Sequence, residues 1–451
     1  MKWSGPINRI MIVVTIFVSA LANIGCSDLH DVPFGIMSDS YGSNQGSRVT
    51  AESDRDVLLL YSAGYNSLWD YLRDDINDLK KGWLPGNSSK DNVLLVYSHL
   101  LTRNNSYDRP VESHLVRLYA KSTGEVVCDT LQTYPSTVVS ASPQQLNEVL
   151  TYIKDNIPAA SYGMIFSSHA TGYLPSGFYS SPNSYIFNEA TLMESGRGNA
   201  PKPVPYVEPE FDPSLPMVKS IGQQQVGTIG NYYSYEIDIK SFADAIPMKL
   251  DYLLFDACLM GGIEVAYELR DKVRKIGASQ AEVLAEGLDY KTLTNHLLKG
   301  DTPDPLKVCE DYFTQYDIQS GVYRSATISF IDCEKLDNLA STCSLLFDRH
   351  REGIESLTSN EVQRFYRSNK QWFFDLESIV TLAGASSEEI NDLHEALDEC
   401  IIYKAHTPEF MCEFSIKTFS GFSMFLPRYG TRELRKYYKT LKWNEATGLV
   451  E

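Results

Sequence analysis

Between Asp56 and Cys258 the chain alternates solid apolar runs with stretches of helical period. Val57-Leu58-Leu59-Leu60-Tyr61 and Val93-Leu94-Leu95-Val96-Tyr97 are apolar without a break, as in strands buried on both faces of a parallel sheet. Ser62 to Asn66 form a turn after the first run. Leu68, Leu72, Ile76 and Leu79 then recur at helical spacing and predict a helix over 68–79. A half-buried strand is expected at 114–119. Ser142-Pro143 opens a second helix, because Ser caps a helix well and Pro suits its first position. Its apolar stripe is Leu146, Val149, Leu150 and Ile153. Tyr162 to Phe166 is the next strand and runs into Ser167-Ser168-His169. Leu250 to Phe255 runs into Asp256-Ala257-Cys258, with a helix expected onward through Ile263 to Val273. This alternation implies an α/β fold with a mainly parallel sheet sandwiched between helices. In such sheets functional residues gather at the carboxyl ends of the strands, where His169 and Cys258 both fall.

From Gly172 to Asn231 the rhythm stops. Pro201, Pro203, Pro205, Pro209, Pro213 and Pro216 stand among Gly and Ser, and the stretch reads as a long exposed loop. Helical character returns from Tyr235 to Ala245. Further helices are expected near 304–315, 333–350, 359–367 and 375–400, with strands at 326–331 and 421–426. No linker-like composition divides this half, so residues 55–451 read as one domain carrying C-terminal helical additions.

The N-terminus has a different grammar. Lys2 and Arg9 precede the apolar run Ile10 to Ala22, which is shorter than the roughly 20 residues of a spanning helix. Residues 1–25 therefore read as a signal peptide. Leu21-Ala22-Asn23-Ile24-Gly25-Cys26 resembles a bacterial lipobox, with Gly25 in place before Cys26 and Asn23 where Leu is usual. Cys26 is thus the candidate lipidation site, and Ser-, Asp- and Gly-rich residues 26–54 form a tether. The expectation is an exported bacterial lipoprotein of the cell envelope, at the outer membrane or cell surface.

Charge and cysteine content narrow the chemistry. The net charge of −18 argues against a nucleic-acid partner, whose protein needs a basic face, and would steer cationic substrates inward. Seven cysteines follow Cys26, with no C-x-x-C pair and no companion His cluster, so a zinc site is not expected. Seven is odd, so at least one thiol is free; the other six are either buried thiols or three bridges.

Cys258 is the candidate for that free thiol. A thiol at a helix start is biased toward the thiolate. An imidazole at a neighbouring strand end can take its proton and return it to a leaving amine. Backbone N–H groups of the same turn can hold the oxyanion.

The segment Phe255-Asp256-Ala257-Cys258-Leu259-Met260-Gly261-Gly262-Ile263-Glu264-Val265-Ala266-Tyr267-Glu268 resembles the nucleophile segment of the clostripain family of cysteine peptidases, relatives in fold of caspases and gingipains. Asn66-Ser67-Leu68, the strand ending at His169, Ala278-Ser279-Gln280, Gly287-Leu288-Asp289-Tyr290, Phe374-Asp375-Leu376 and Ser420-Gly421-Phe422-Ser423 agree with it, over about residues 55–430. The resemblance implies a caspase-like fold and peptide hydrolysis through a thioester, with Cys258 as nucleophile and His169 as its base. It implies Asp256, Ser279, Glu282 and Asn66 as substrate-binding residues, with cleavage after Arg or Lys. The N–H groups of Cys258 and Ala170 would form the oxyanion hole; Ala170 stands where the family usually has Gly, and a Gly-specific backbone there would be strained. No cofactor is required by this chemistry, no metal site is expected, and calcium enters only by family resemblance. Partners would be peptides or proteins with basic residues, and the membrane through the lipid. Loop 172–231 lies where some relatives are cut, and Arg197, Lys202 and Lys219 are its basic candidates. The rival readings are a non-catalytic surface lipoprotein that keeps the fold and binds peptides or a protein partner, and an acyl transferase.

Overall fold

The computed structural model describes residues 54–451 apart from 104, 189–201, 207–213, 220–223 and 229. The signal peptide, Cys26, nearly all of the tether and Arg197 lie outside the described residues.

Strand β1 (Asp56–Gly64) is buried at all nine positions, as its unbroken apolar run requires. β2 (Val93–Leu100) and β5 (Ser161–Ser167) pair with it in parallel on either side. β9 (Leu250–Asp256) pairs in parallel with β5, and β10 (Val273–Ala278) with β9. β3 (Ser113–Ala120) and β4 (Val126–Tyr134) extend one edge antiparallel. β11 (Thr327–Asp332) and β13 (Ile401–His406) extend the other. The nine-stranded order is β13-β11-β10-β9-β5-β1-β2-β3-β4, a parallel centre with antiparallel margins.

Helix α1 (Trp69–Lys81) buries Leu72, Ile76 and Leu79 as its spacing predicts, together with Asp75. Helix α2 (Pro143–Asn156) starts as read: the Ser142 hydroxyl accepts from the Gln145 N–H at 3.2 Å.

Several expectations needed correction. Tyr235 belongs not to a helix but to strand β8 (Asn231–Tyr235), and the helix opens at Ile239, where the Asp238 carboxylate caps Ser241 N–H at 3.0 Å. The helix after Cys258 is only Ile263–Leu269, and Val273 already begins β10. Residues 359–367 form no helix: Phe365 N–H donates to Phe373 O, Asp375 N–H to Gln363 O, and Arg364 bridges Phe374. The stretch 375–400 is two helices, Leu376–Leu382 and Ser387–Cys400, separated at Gly384 (φ 104°) and restarted by a capping box of Ser386 and Glu389. The strand at 421–426 shrinks to β16 (Ser423–Met424), paired with β12 (Phe374–Asp375). A last small hairpin joins β14 (Glu409–Phe410) and β15 (Phe414–Ser415).

Loop 172–231 is less exposed than its composition implies. β6 (Val204–Pro205), β7 (Gln224–Thr228) and β8 make a small antiparallel sheet. Tyr173 and Phe178 are fully buried, packed on Phe373, Phe425 and Tyr438 and on Trp372. Gln224 Oε1 accepts from Ser140 N–H at 2.7 Å, which ties the insertion to the connection between β4 and α2. All seven cysteines among the described residues are free thiols, five of them buried, so the three-bridge alternative falls away.

Candidate active site

β5 and β9 are in register with Ser167 opposite Asp256. His169 and Cys258 each lie two residues beyond that pair, so the sheet itself carries them to one edge. β1 ends beside them in a turn that Asn66 builds: its Nδ2 donates to Ala63 O at 3.0 Å, and its Oδ1 accepts from Leu68 N–H at 2.9 Å. The turn presents the next residue, Ser67, whose Oγ lies 2.9 Å from His169 Nε2. Ser67 is thus a residue of this turn that touches the imidazole.

Cys258 is buried, 1% exposed. The Val283 N–H donates to its sulfur at 3.2 Å. Leu259 follows in the left-handed region, φ 63°, a conformation that costs an L-residue about 1–2 kcal/mol and turns the chain sharply away from the strand. The Leu259 N–H donates to Ala281 O at 2.9 Å, which fixes the turn. Because the following helix is only seven residues and starts at Ile263, its dipole is not aimed at the sulfur from the first turn. Burial and then Glu282 push the thiol well above its ordinary value. Burial, and then the charge of Lys219, push His169 down to about 3. Both shifts favour the uncharged forms, a neutral thiol and a neutral imidazole. Ala170 is buried and is not among the non-glycine residues with positive φ, so the methyl group that replaces the family's glycine hydrogen carries no backbone strain.

The cause of this closure is a segment of the chain itself. Met217 to Lys219 run antiparallel to Val283–Ala285: Lys219 N–H donates to Val283 O at 3.0 Å, Ala285 N–H to Met217 O at 2.9 Å, and Val218 bridges Leu284. The Lys219 carbonyl accepts from the Cys258 N–H at 3.0 Å. Its side chain is completely buried. Nζ donates to Asp256 Oδ2 at 2.6 Å, to Asp75 Oδ2 at 3.4 Å and to Ser167 Oγ at 3.4 Å. Ser167 and Tyr290 hydroxyls donate to the same Asp256 oxygen at 2.8 and 2.7 Å. Burial works against the ammonium, but Asp256 and Asp75 outweigh it and hold it above its ordinary pKa.

The other two pocket candidates are engaged elsewhere. Glu282 pairs with Arg367, whose Nη2 lies 2.9 Å from Oε1 and whose Nε meets Oε2. Ser279 Oγ donates to Ala281 O at 3.1 Å and lies 2.8 Å from Thr327 Oγ1, which in turn accepts from Ala281 N–H at 3.0 Å. Ser279 thus props the strand that Lys219 lies against. Asp75, Ser67, Ser167, Tyr290 and Arg367 were not among the expected site residues; Ser67 and Tyr290 lie in segments that resemble the family, and Asp75 stands out as a carboxylate on the apolar stripe of α1. Among the described residues, no group of three or more His, Cys, Asp or Glu side chains is arranged to hold a metal ion.

The profile of the C11, or clostripain, peptidase family matches residues 60–189 and 224–448. The chain belongs to the clostripain family. It is therefore a cysteine-type endopeptidase, and its sheet is the caspase-like one expected. An inactive zymogen of a C11 protease from Parabacteroides distasonis superposes with a TM-score of 0.66 at 24% identity, covering 89% of this chain and 99% of that one. A secreted C11 cysteine protease from Bacteroides thetaiotaomicron superposes at 0.64 with 22% identity, covering 87% and 99%. The structure of a Bacteroides thetaiotaomicron secreted C11 protease bound to an irreversible peptide inhibitor gives 0.64, 22%, 88% and 99%. No curated protein matches the sequence. Among the described residues, no helix is long and apolar enough to cross a membrane.

Proposed function

We propose that this peptidase cleaves after basic residues through a Cys258–His169 dyad and that it holds its own Lys219 as a first substrate. One observation carries the reading: Lys219 lies as a substrate residue would, with its carbonyl on the Cys258 N–H, its backbone paired to Val283 and its ammonium on Asp256. Cys258 Sγ attacks the Lys219 carbonyl carbon, and the developing oxyanion stays on the Cys258 N–H. His169 takes the thiol proton; with Nε2 held by Ser67, the exchange runs through Nδ1. The bond from Lys219 to Ser220 breaks, the proton passes to the Ser220 amine, and water hydrolyses the thioester to regenerate the thiol. Once the new carboxyl end leaves, both causes of the depressed imidazole weaken, and the dyad passes from a slow first cut to faster turnover of other substrates. The neutral, covered thiol is thus the latent form of the enzyme.

The test is to incubate the purified chain and map new termini by mass spectrometry. A cut between Lys219 and Ser220, absent in Cys258→Ala and followed by activity on Lys or Arg peptides, is expected. An intact wild-type chain that never hydrolyses a basic peptide would overturn the reading in favour of a binding protein with a peptidase fold.

Residues 1–26 complete the proposal as an export signal ending in a lipid-modified Cys26. A fatty-acid reporter incorporated by the wild type and lost in Cys26→Ala would support it; equal labelling would exclude it.

A further inference from the structure

We infer that Asp75 is a specificity-determining residue that closes the far end of the substrate pocket and makes it select lysine over arginine. The inference rests on the proposal that Lys219 occupies the pocket for the residue before the cut bond.

Asp75 stands on the apolar stripe of α1 between Leu72 and Ile76, and all three are buried. A buried carboxylate is costly unless a cation or donor faces it, and the cation facing this one is the Lys219 ammonium at 3.4 Å. Burial raises the Asp75 carboxyl well above its ordinary range and Lys219 pulls against that. If Lys219 departs after cleavage, Asp75 and Asp256 remain as two acids lining one buried pocket. Such a pocket is built to receive a cation.

The arrangement suits an ammonium. Its three N–H groups meet three acceptors on three different elements: Asp256 Oδ2 on β9, Ser167 Oγ on β5 and Asp75 Oδ2 on α1. A guanidinium instead asks for paired acceptors in one plane. The Asp256 oxygen in reach already receives Ser167, Tyr290 and Lys219. Its other oxygen, Oδ1, is buried without a hydrogen-bond partner, and it lies against Gly287. A Cβ on Gly287 would sit 2.3 Å from that oxygen and 2.6 Å from Lys219 Nζ, so that wall has no spare room. Arginine places its terminal nitrogens one bond further from the backbone than lysine does. That extra length runs toward Asp75.

The test compares Asp75→Ala and Asp75→Asn with the wild type on peptides that differ only in Lys or Arg before the cut bond. Self-cleavage after position 219 in chains carrying Lys219 or Lys219→Arg is measured alongside. The wild type is expected to favour Lys by at least about 10-fold, a difference that one well-placed polar contact can supply. Asp75→Ala removes an acceptor and lengthens the pocket. Cleavage after Lys should fall about 10- to 100-fold, as loss of a charged hydrogen bond implies, while cleavage after Arg holds or rises, so the ratio collapses or inverts. Asp75→Asn keeps the volume and should lower the Lys rate without helping Arg. Parallel losses for Lys and Arg, or a wild type that prefers Arg, would overturn the role of Asp75. A wild type that cuts peptides but ignores both basic residues would instead overturn the pocket assignment beneath it. Melting curves identify a variant that has failed to fold; in that case the intact-volume Asp75→Asn decides.

Discussion

Cys258 and Lys219 meet across one cleft but come from unlike parts of the chain. Cys258, with His169, Ser167 and Asp256, hangs on the ends of two adjacent parallel strands whose register is fixed residue by residue. Lys219 comes from a proline-rich insertion and is held by two backbone hydrogen bonds to Val283 and Cys258 and by the charge of its tip. The sheet half is over-determined by a buried core. The loop half is held by backbone pairing and one buried charge, which the proposed cut after Lys219 would release. On that proposal, the part that leaves is clipped onto a sheet that stays in place.

The largest test of the sheet half is Cys258→Ala. It removes the nucleophile, and peptide hydrolysis should fall by at least about 10³-fold. The melting temperature should change little, because a buried thiol and a methyl are close in size. Collapse of folding would mean that the sulfur is chiefly a core atom.

Asp256→Asn comes next. It leaves volume and strand register alone but takes the charge from under the substrate cation. A buried charged hydrogen bond lost in this way costs about 2–5 kcal/mol, so kcat/KM for Lys and Arg peptides should drop by about 30-fold or more. An unchanged preference for basic peptides would detach Asp256 from specificity.

Lys219→Ala breaks the other half. Without the ammonium, nothing pays to bury residues 217–219 against two carboxylates, and the segment should open. Alkylation by iodoacetamide, read by peptide mapping at Cys258 to set it apart from exposed Cys412, should accelerate by about 10-fold or more, as expected from loss of a buried ion pair. An unchanged rate at Cys258 would mean that the backbone pairing alone keeps the cleft shut.

The same contrast explains what could be read in advance. The central strands were legible because a strand buried on both faces must be apolar throughout, and His169 and Cys258 because they terminate such strands. β4 escaped notice because an edge strand with exposed Asp129 and Thr130 has no apolar run. The break at Gly384 was hidden because the apolar period carries across it. Asp256 and Glu282 were named only through the family resemblance; the Arg367 that pairs with Glu282 stands 85 positions away, and nothing local in sequence announces a partner so distant. Lys219 was visible only as a basic residue in a loop, since its role depends on where that loop folds back.

The smallest expected effect concerns Ser67, where the β1 turn meets the sheet half of the site. Its hydroxyl lies 2.9 Å from His169 Nε2, so it fixes the ring and accepts the Nε2 proton when the imidazole is charged. Ser67→Ala should lower kcat/KM by about 10-fold, the worth of one such hydrogen bond. A loss of that size could also come from a loosened turn, so the pH profile has to separate the two. With Lys219 in place, burial and then the Lys219 charge push His169 down to about 3; once cleavage frees the segment both causes weaken, and the imidazole moves toward its ordinary 6.5. The acid limb of kcat/KM in the processed enzyme should therefore lie between these values. Removing an acceptor that favours the charged ring lowers the imidazole pKa, so in Ser67→Ala that limb should move to lower pH, by up to about one unit. Ser67→Thr, which keeps the hydroxyl, should restore both the rate and the limb. A rate loss with the acid limb unmoved, or one that Thr does not rescue, would assign Ser67 to the turn and not to the imidazole.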